Sequence, residues 1–197
     1  MSGMSRHTGV LAVLAVAFAV ISALTAGSAL ATPAPTAALS FDENEGEIAH
    51  DSAGSHDGTI HGAAWTEEGK YGAALEFDGE DDHVTIPDSE DLDFTEGFTL
   101  EAWVRPSEAH NWSSVIAKED TSEALPFGYL LYAQGGGEVP VLYMAEDESE
   151  YTHNEGETPL PANAWSHLAV TSDGEHSRIY VDGELDSVGP ALPVKAT

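Results

Sequence analysis

The stretch Phe98-Thr99-Leu100-Glu101-Ala102-Trp103-Val104-Arg105 decides the fold. In an extended chain Phe98, Leu100, Ala102 and Val104 share one side, and Thr99, Glu101, Trp103 and Arg105 share the other. A strand that is apolar on one side buries that side against a second layer, which here means a second sheet. Ile179-Tyr180-Val181-Asp182-Gly183-Glu184-Leu185 repeats the alternation around an Asp-Gly pair, the mark of a tight primed hairpin turn in which Gly183 takes a positive φ. A further turn at Asp173-Gly174 divides His167-Leu168-Ala169-Val170 from Arg178-Ile179-Tyr180-Val181, so three successive strands are expected to form a meander.

Outward from these segments, short apolar runs alternate with clusters of Gly, Asp, Pro and Ser, and no window of ten residues has the helical i, i+3, i+4, i+7 spacing. The reading is all-β, a two-sheet antiparallel sandwich with strands over 38–41, 58–61, 73–77, 83–86, 98–105, 113–118, 127–133, 140–145, 166–171 and 177–181. Residues 32–37, beginning Thr32-Pro33-Ala34-Pro35-Thr36, read as an extended Pro-rich linker, and the domain occupies residues 38–197.

Residues 1–31 contain no acid, carry Arg6 and His7, run apolar from Val10 to Ile21 and end in Ala29-Leu30-Ala31. That is a signal peptide pattern, and it predicts a secreted, extracellular product. Extended through Ala31, the apolar stretch would just span a bilayer; its short apolar centre and small-residue ending favour cleavage, leaving no stable membrane span. The absence of cysteine rules out a lipid-anchored thiol and leaves folding to burial alone.

With 35 acidic residues against 6 Lys and Arg, the formal charge is −29. Such a surface repels nucleic acid and anionic lipid. It also repels itself unless salt screens it, and the screening length falls to about 3 Å at 1 M salt, so the composition is read as a halophilic adaptation.

The order of several phrases carries a resemblance. Phe41-Asp42-Glu43, Asp51-Ser52-Ala53-Gly54 and Gly69-Lys70-Tyr71-Gly72-Ala73-Ala74-Leu75-Glu76-Phe77-Asp78-Gly79 come first. The 98–104 strand, Trp165-Ser166-His167-Leu168-Ala169-Val170-Thr171 and Tyr180-Val181-Asp182-Gly183 follow. Together, over roughly residues 38–185, they resemble laminin G-like (LamG-like) jellyroll domains of the concanavalin A-like lectin/glucanase superfamily. The resemblance implies a jellyroll sandwich. It also implies a Gly-containing strand and a final strand after the Asp-Gly hairpin. These closing strands look absent before Thr197, so an unpaired sheet edge is expected beside residues 38–41.

Glucanases of that superfamily place paired carboxylates on one strand as Glu-x-Asp-x-x-Glu. Here Glu184-Leu185-Asp186 begins the pattern but lacks the second Glu, and Glu146-Asp147-Glu148-Ser149-Glu150 lacks apolar alternation, so no catalytic residue is assigned and a glycoside hydrolase is the weakest of three readings. Calcium is a candidate cofactor, which the resemblance also implies as a structural ion. Hard cations take several loop oxygens, and Asp51 and Asp57 in one loop and Asp78, Asp81 and Asp82 in another offer them. A sugar platform is the third candidate. Trp103, Arg105, Trp165, His167, Arg178 and Tyr180 point away from the core on three neighbouring strands, and aromatic faces with polar neighbours suit carbohydrate; cross-strand packing is the competing reading of the two Trp. Trp65, Trp112, Tyr129 and Tyr132 read as core or loop packing, and His50, His56, His61 and His83 as solvated turn residues without the close pairing of a zinc site. Asn111-Trp112-Ser113 matches a glycosylation sequon. The expected function is a secreted, non-catalytic binding or adhesion module for carbohydrate or a surface polymer, with a structural spacer in a larger extracellular protein as the alternative.

Overall fold

The computed structural model describes residues 11–14, 34–94, 97–107, 112–119, 127–145 and 150–192. Most of residues 1–31, residues 32–33, Asn111 of the sequon, residues 146–149 of the acidic run and residues 193–197 lie outside the described residues.

Fourteen strands are present among the described residues. They are β1 (Leu11–Leu14), β2 (Ile48–Ala49), β3 (Gly58–His61), β4 (Ala64–Thr66), β5 (Ala74–Glu76), β6 (His83–Thr85), β7 (Phe98–Pro106), β8 (Ser113–Glu119), β9 (Phe127–Gln134), β10 (Val141–Ala145), β11 (Tyr151–Glu155), β12 (Ser166–Ser172), β13 (His176–Val181) and β14 (Glu184–Pro190). One sheet runs β1-β7-β12-β13-β14 and a second β11-β10-β9-β8, with two small sheets, β2-β3-β6 and β4-β5, beside them. No α-helix is described, and no described helix is long and apolar enough to cross a membrane.

The alternation of β7 does what its sequence requires. Phe98, Leu100, Ala102 and Val104 are buried, joined by Leu168 and Val170 of β12 and Ile179 of β13, and face Tyr129, Leu131 and Ala133 of β9 and Leu142 and Met144 of β10. The register sets Leu168 opposite Ala102 and Val170 opposite Leu100, so a large residue on one strand meets a smaller or equal one on the next. Each fully buried Leu or Ile contributes about 1.5–3 kcal/mol of transfer free energy, which is what holds a disulfide-free sandwich together. The meander β12-β13-β14 is antiparallel throughout, and its second turn has φ 52 at Asp182 and 83 at Gly183, the two positive values a primed turn needs.

Two expectations are corrected. Residues 38–41 make a single bridge, Leu39 to Asp51, instead of a strand. Phe41 takes φ 56, outside the extended region, and this bend drops Leu39 and Phe41 into a second core with Ala49, Ile60 and Leu75. The large sheet has β14 at one edge and β1 at the other, where the β1 backbone pairs antiparallel with β7 from Leu11 opposite Pro106 to Leu14 opposite Trp103. Second, the Gly-containing strand that looked absent exists as β14, paired with β13 through a bulge at Ile179 and Tyr180.

β14 and β11 escaped the sequence reading because both are polar edges whose position comes from a clasp. Asn154 of β11 is 4% exposed; its Nδ2 donates to the Ser177 carbonyl of β13 at 3.2 Å, and Ser187 Oγ of β14 donates to its Oδ1 at 3.1 Å. Gly189 leaves the room: a Cβ there would stand 2.7 Å from the Asn154 carboxamide carbon. The clasp ties the edge of one sheet to two strands of the other.

Candidate functional site

Two sheet faces point away from the sandwich core, and they differ. On the first, β7–β12 pairing puts Trp103 directly opposite His167, with ring centroids 5.2 Å apart. Arg105 lies 5.4 Å from the Trp165 ring, and Tyr180 stands opposite Ala169, one alternation step from His167. Four of the six residues expected to share a platform, Trp103, His167, Arg105 and Trp165, thus form two adjacent pairs. Arg178 is held apart at the sheet's end by Asp173, 2.9 Å away. The amides of His176 and Glu175, together with that guanidinium, keep the Asp173 carboxyl well below the usual carboxylate range.

All six of these side chains are partly buried, and segments from elsewhere in the chain pack over part of this face. Trp103 packs against the second core, Lys70 Nζ sits 4.4 Å from its ring centroid, and the Tyr71 ring meets it edge-on at 5.6 Å. Glu68 holds Arg105 at 3.2 Å. Glu101 is buried beside His167, their side chains 3.8 Å apart. Burial pushes the His167 imidazole below its ordinary value despite the pull of the Asp182 carboxylate. Side chains pointing away from one core here point toward another.

The second face belongs to the β8–β11 sheet. Parity on β9 sends Tyr129 inward and Tyr132 outward, and on β10 it sends Tyr143 outward between the buried Leu142 and Met144. Tyr143 is the hub of a row. Tyr132 meets it edge-on at 6.1 Å, His153 stacks at 5.3 Å, Tyr151 lies at 6.2 Å and Trp112 at 6.3 Å, while Trp112 also meets Tyr132 at 5.3 Å. The ends of the row are open to solvent, Trp112 being 50% and Tyr151 54% exposed. Trp112 adopts φ 68, donates its amide to the Gln134 carbonyl at 2.6 Å, and lays its indole over Gly136, where a Cβ would come within 3.3 Å of the ring. Burial, helped by neighbouring Glu119, raises the Tyr132 phenol; burial, with Tyr151 and Glu155, raises that of Tyr143. Both keep their O–H as donors. The four described Lys and Arg side chains have partners elsewhere: Lys70 and Arg105 serve the first face, Arg178 binds Asp173, and Lys118 binds Asp88 and Asp93, each at 2.7 Å.

The sequence reading assigned Trp112 and Tyr132 to packing and left Tyr143, Tyr151 and His153 without a role. Applying the alternation rule to β9 would have separated Tyr132 from Tyr129. Tyr151 and His153 had no comparable signal, since β11 carries no apolar alternation.

The five candidate metal ligands divide between two loops. Burial pushes the Asp51 carboxyl up, but bonds from the amides of Ala38, His56 and Ala53 outweigh it and hold it below its ordinary value. Asp57 accepts the Asp51 amide at 2.8 Å and contacts His50 at 3.1 Å. Both serve as loop organisers. Asp78, Asp81 and Asp82 do converge, offering carboxylate oxygens within 4.8 Å of one another, a hard donor set of the type calcium takes. Asp186, in the incomplete glucanase pattern, lies on β14 and accepts the Glu157 amide at 2.7 Å. Two expectations for histidine are corrected: His56 is buried, its Nε2 3.1 Å from Asp91, and β3–β6 pairing sets His61 opposite His83 with stacked rings 4.5 Å apart.

Residues 78–197 match the family model described as Concanavalin A-like lectin/glucanases superfamily. Among solved structures, the chain is similar to domain 4 of AbnA, a GH43 extracellular arabinanase from Geobacillus stearothermophilus, in complex with arabinotriose. The identity is 22% over 81% of this chain and 76% of that one, with a TM-score of 0.63. It is also similar to residues 221–444 of an S-layer domain-containing protein from Clostridium thermocellum, at 24% identity over 79% and 72% of the two chains and a TM-score of 0.48. No curated protein matches.

Proposed function

The chain belongs to the concanavalin A-like lectin/glucanase superfamily, and from that premise we propose that it is an exported, non-catalytic module that binds a neutral polysaccharide across the β8–β11 sheet. The observation that carries the reading is the row Trp112, Tyr132, Tyr143, Tyr151 and His153, five rings in mutual contact whose ends are open to solvent. Such rings offer flat apolar surface to sugar C–H groups, while phenol hydroxyls and imidazole nitrogens bond the sugar's own hydroxyls. Neutrality follows from charge: a chain of formal charge −29, whose four described Lys and Arg have partners elsewhere, repels uronic or sulfated polymers. The AbnA domain, whose likeness to this chain is one of fold, was solved with a neutral oligosaccharide, in keeping with the reading. Calcium, if bound at Asp78, Asp81 and Asp82, would neutralise three crowded carboxylates and stiffen that turn without touching the row.

A glycan array with the wild type and the Trp112→Ala and Tyr143→Ala variants tests the proposal. Neutral polymers are expected to bind the wild type and to lose at least about tenfold in affinity with either variant, the scale of a binding hot spot. Undiminished binding by both variants would refute the site, and a wild type that binds no glycan would favour a structural spacer instead.

A further inference from the structure

His61 and His83 face each other across β3 and β6, both exposed, with ring centroids 4.5 Å apart and planes within 20° of parallel. His83 Nδ1 lies 2.8 Å from the Asp81 main-chain oxygen. A carbonyl only accepts, so Nδ1 carries the hydrogen and, in the neutral ring, Nε2 keeps a lone pair. This is how proteins orient a metal-binding imidazole: a main-chain acceptor on one nitrogen fixes the tautomer and turns the other outward. The residue after His61 adds a second link. Gly62 has φ 79, and a Cβ there would collide with Asp82 Oδ1, so a carboxylate oxygen from the residue preceding His83 lies against the turn that follows His61. In a chain with 35 acids and 6 Lys and Arg, that rim draws cations.

We propose that His61 and His83 form a chelating pair for a borderline divalent transition-metal ion, such as Zn²⁺, Ni²⁺ or Cu²⁺, with Asp82 supplying neighbouring negative charge. Imidazole suits these ions, whereas the carboxylates at Asp78, Asp81 and Asp82 suit hard ones, so the two ion types sort by ligand chemistry. Cross-strand pairing fixes both backbones and Asp81 holds the His83 ring, so chelation would require only the His61 ring to turn toward an ion held by His83 Nε2. The site is independent of the aromatic row and stands or falls without it.

The test is titration of the full chain with Ni²⁺ and Cu²⁺ by calorimetry and thermal melting in Ca²⁺-free buffer, so that Asp82 keeps its charge. One equivalent is expected to bind and raise Tm. Affinity should fall at least about tenfold in both His61→Ala and His83→Gln, and stay unchanged in His176→Ala. The Cu²⁺ form should show hyperfine coupling to two imidazole nitrogens by electron paramagnetic resonance, reduced to one in each variant. Far-UV circular dichroism confirms that each variant folds. Equal affinity in the wild type and both variants would assign the ion to carboxylates and overturn the proposal, as would a wild type that binds no metal.

Discussion

The two outward faces of the sandwich carry similar residues and have opposite fates. On the β7–β12–β13 face, Trp103 and His167 are paired by register and then covered by Lys70, Tyr71 and the second core. On the β8–β11 face, Tyr132 and Tyr143 are paired diagonally and end in exposed Trp112 and Tyr151. Alternation along a strand chooses a face, but whether that face meets water depends on segments far away in the chain. Residues 68–71 and the 39–75 core pack against Trp103 and Arg105 on the first face.

The sharpest way to break this contrast is to exchange the two indoles' losses. Trp103→Ala is expected to cost about 2–4 kcal/mol of stability, because the ring fills space against a core, and to leave glycan affinity unchanged. Trp112→Ala should do the reverse, costing at most about 1 kcal/mol of stability but about 2 kcal/mol of binding, roughly thirtyfold. Urea melts and a binding isotherm on the same samples decide it, and a binding loss confined to Trp103→Ala would invert the assignment of the faces.

Gly189→Ala probes the support under the row. The added methyl is driven into Asn154, the only buried residue of β11, so a loss of about 1–3 kcal/mol is expected in denaturant melts. Because Tyr151 and His153 ride on β11, amide exchange should quicken there before it does in β7; uniform exchange would mean that the clasp does not hold β11 in particular.

The smallest expected effect concerns pH and the covered face. Burial lowers the folded pKa of His167, so the unfolded chain takes up the proton more readily. The contribution of neutral His167 is complete above the ordinary imidazole pKa of about 6.5 and is lost as pH falls through the lower folded value. Melting temperatures of the wild type and His167→Gln, compared between neutral and mildly acid pH, should converge on acidification. A constant difference would show that Glu101, 3.8 Å away, offsets the burial.

Much of the fold was legible because its core strands announce themselves. In 98–105 and 177–185, period-two alternation and an Asp-Gly turn are local consequences of backbone geometry, and both segments fold as read. The run 38–41 was misread because one positive φ at Phe41 converts an apolar strand pattern into a bend, and nothing local to Phe41 demands it. β11 and β14 were missed because their place is fixed by Asn154, Ser177 and Ser187, residues 23 and 33 positions apart that only the folded chain brings together.

The same division separates the candidate sites. By itself the sequence determined that this chain is an acidic, cysteine-free β-sandwich and which side chains leave the main core on its best strands, because burial parity is a property of neighbouring residues. Tertiary structure alone decided which face is open, that Trp112, Tyr132, Tyr143, Tyr151 and His153 meet, and that His61 faces His83. Those facts depend on strand order and on what lies above each sheet, and contacts between distant segments are written in no local pattern.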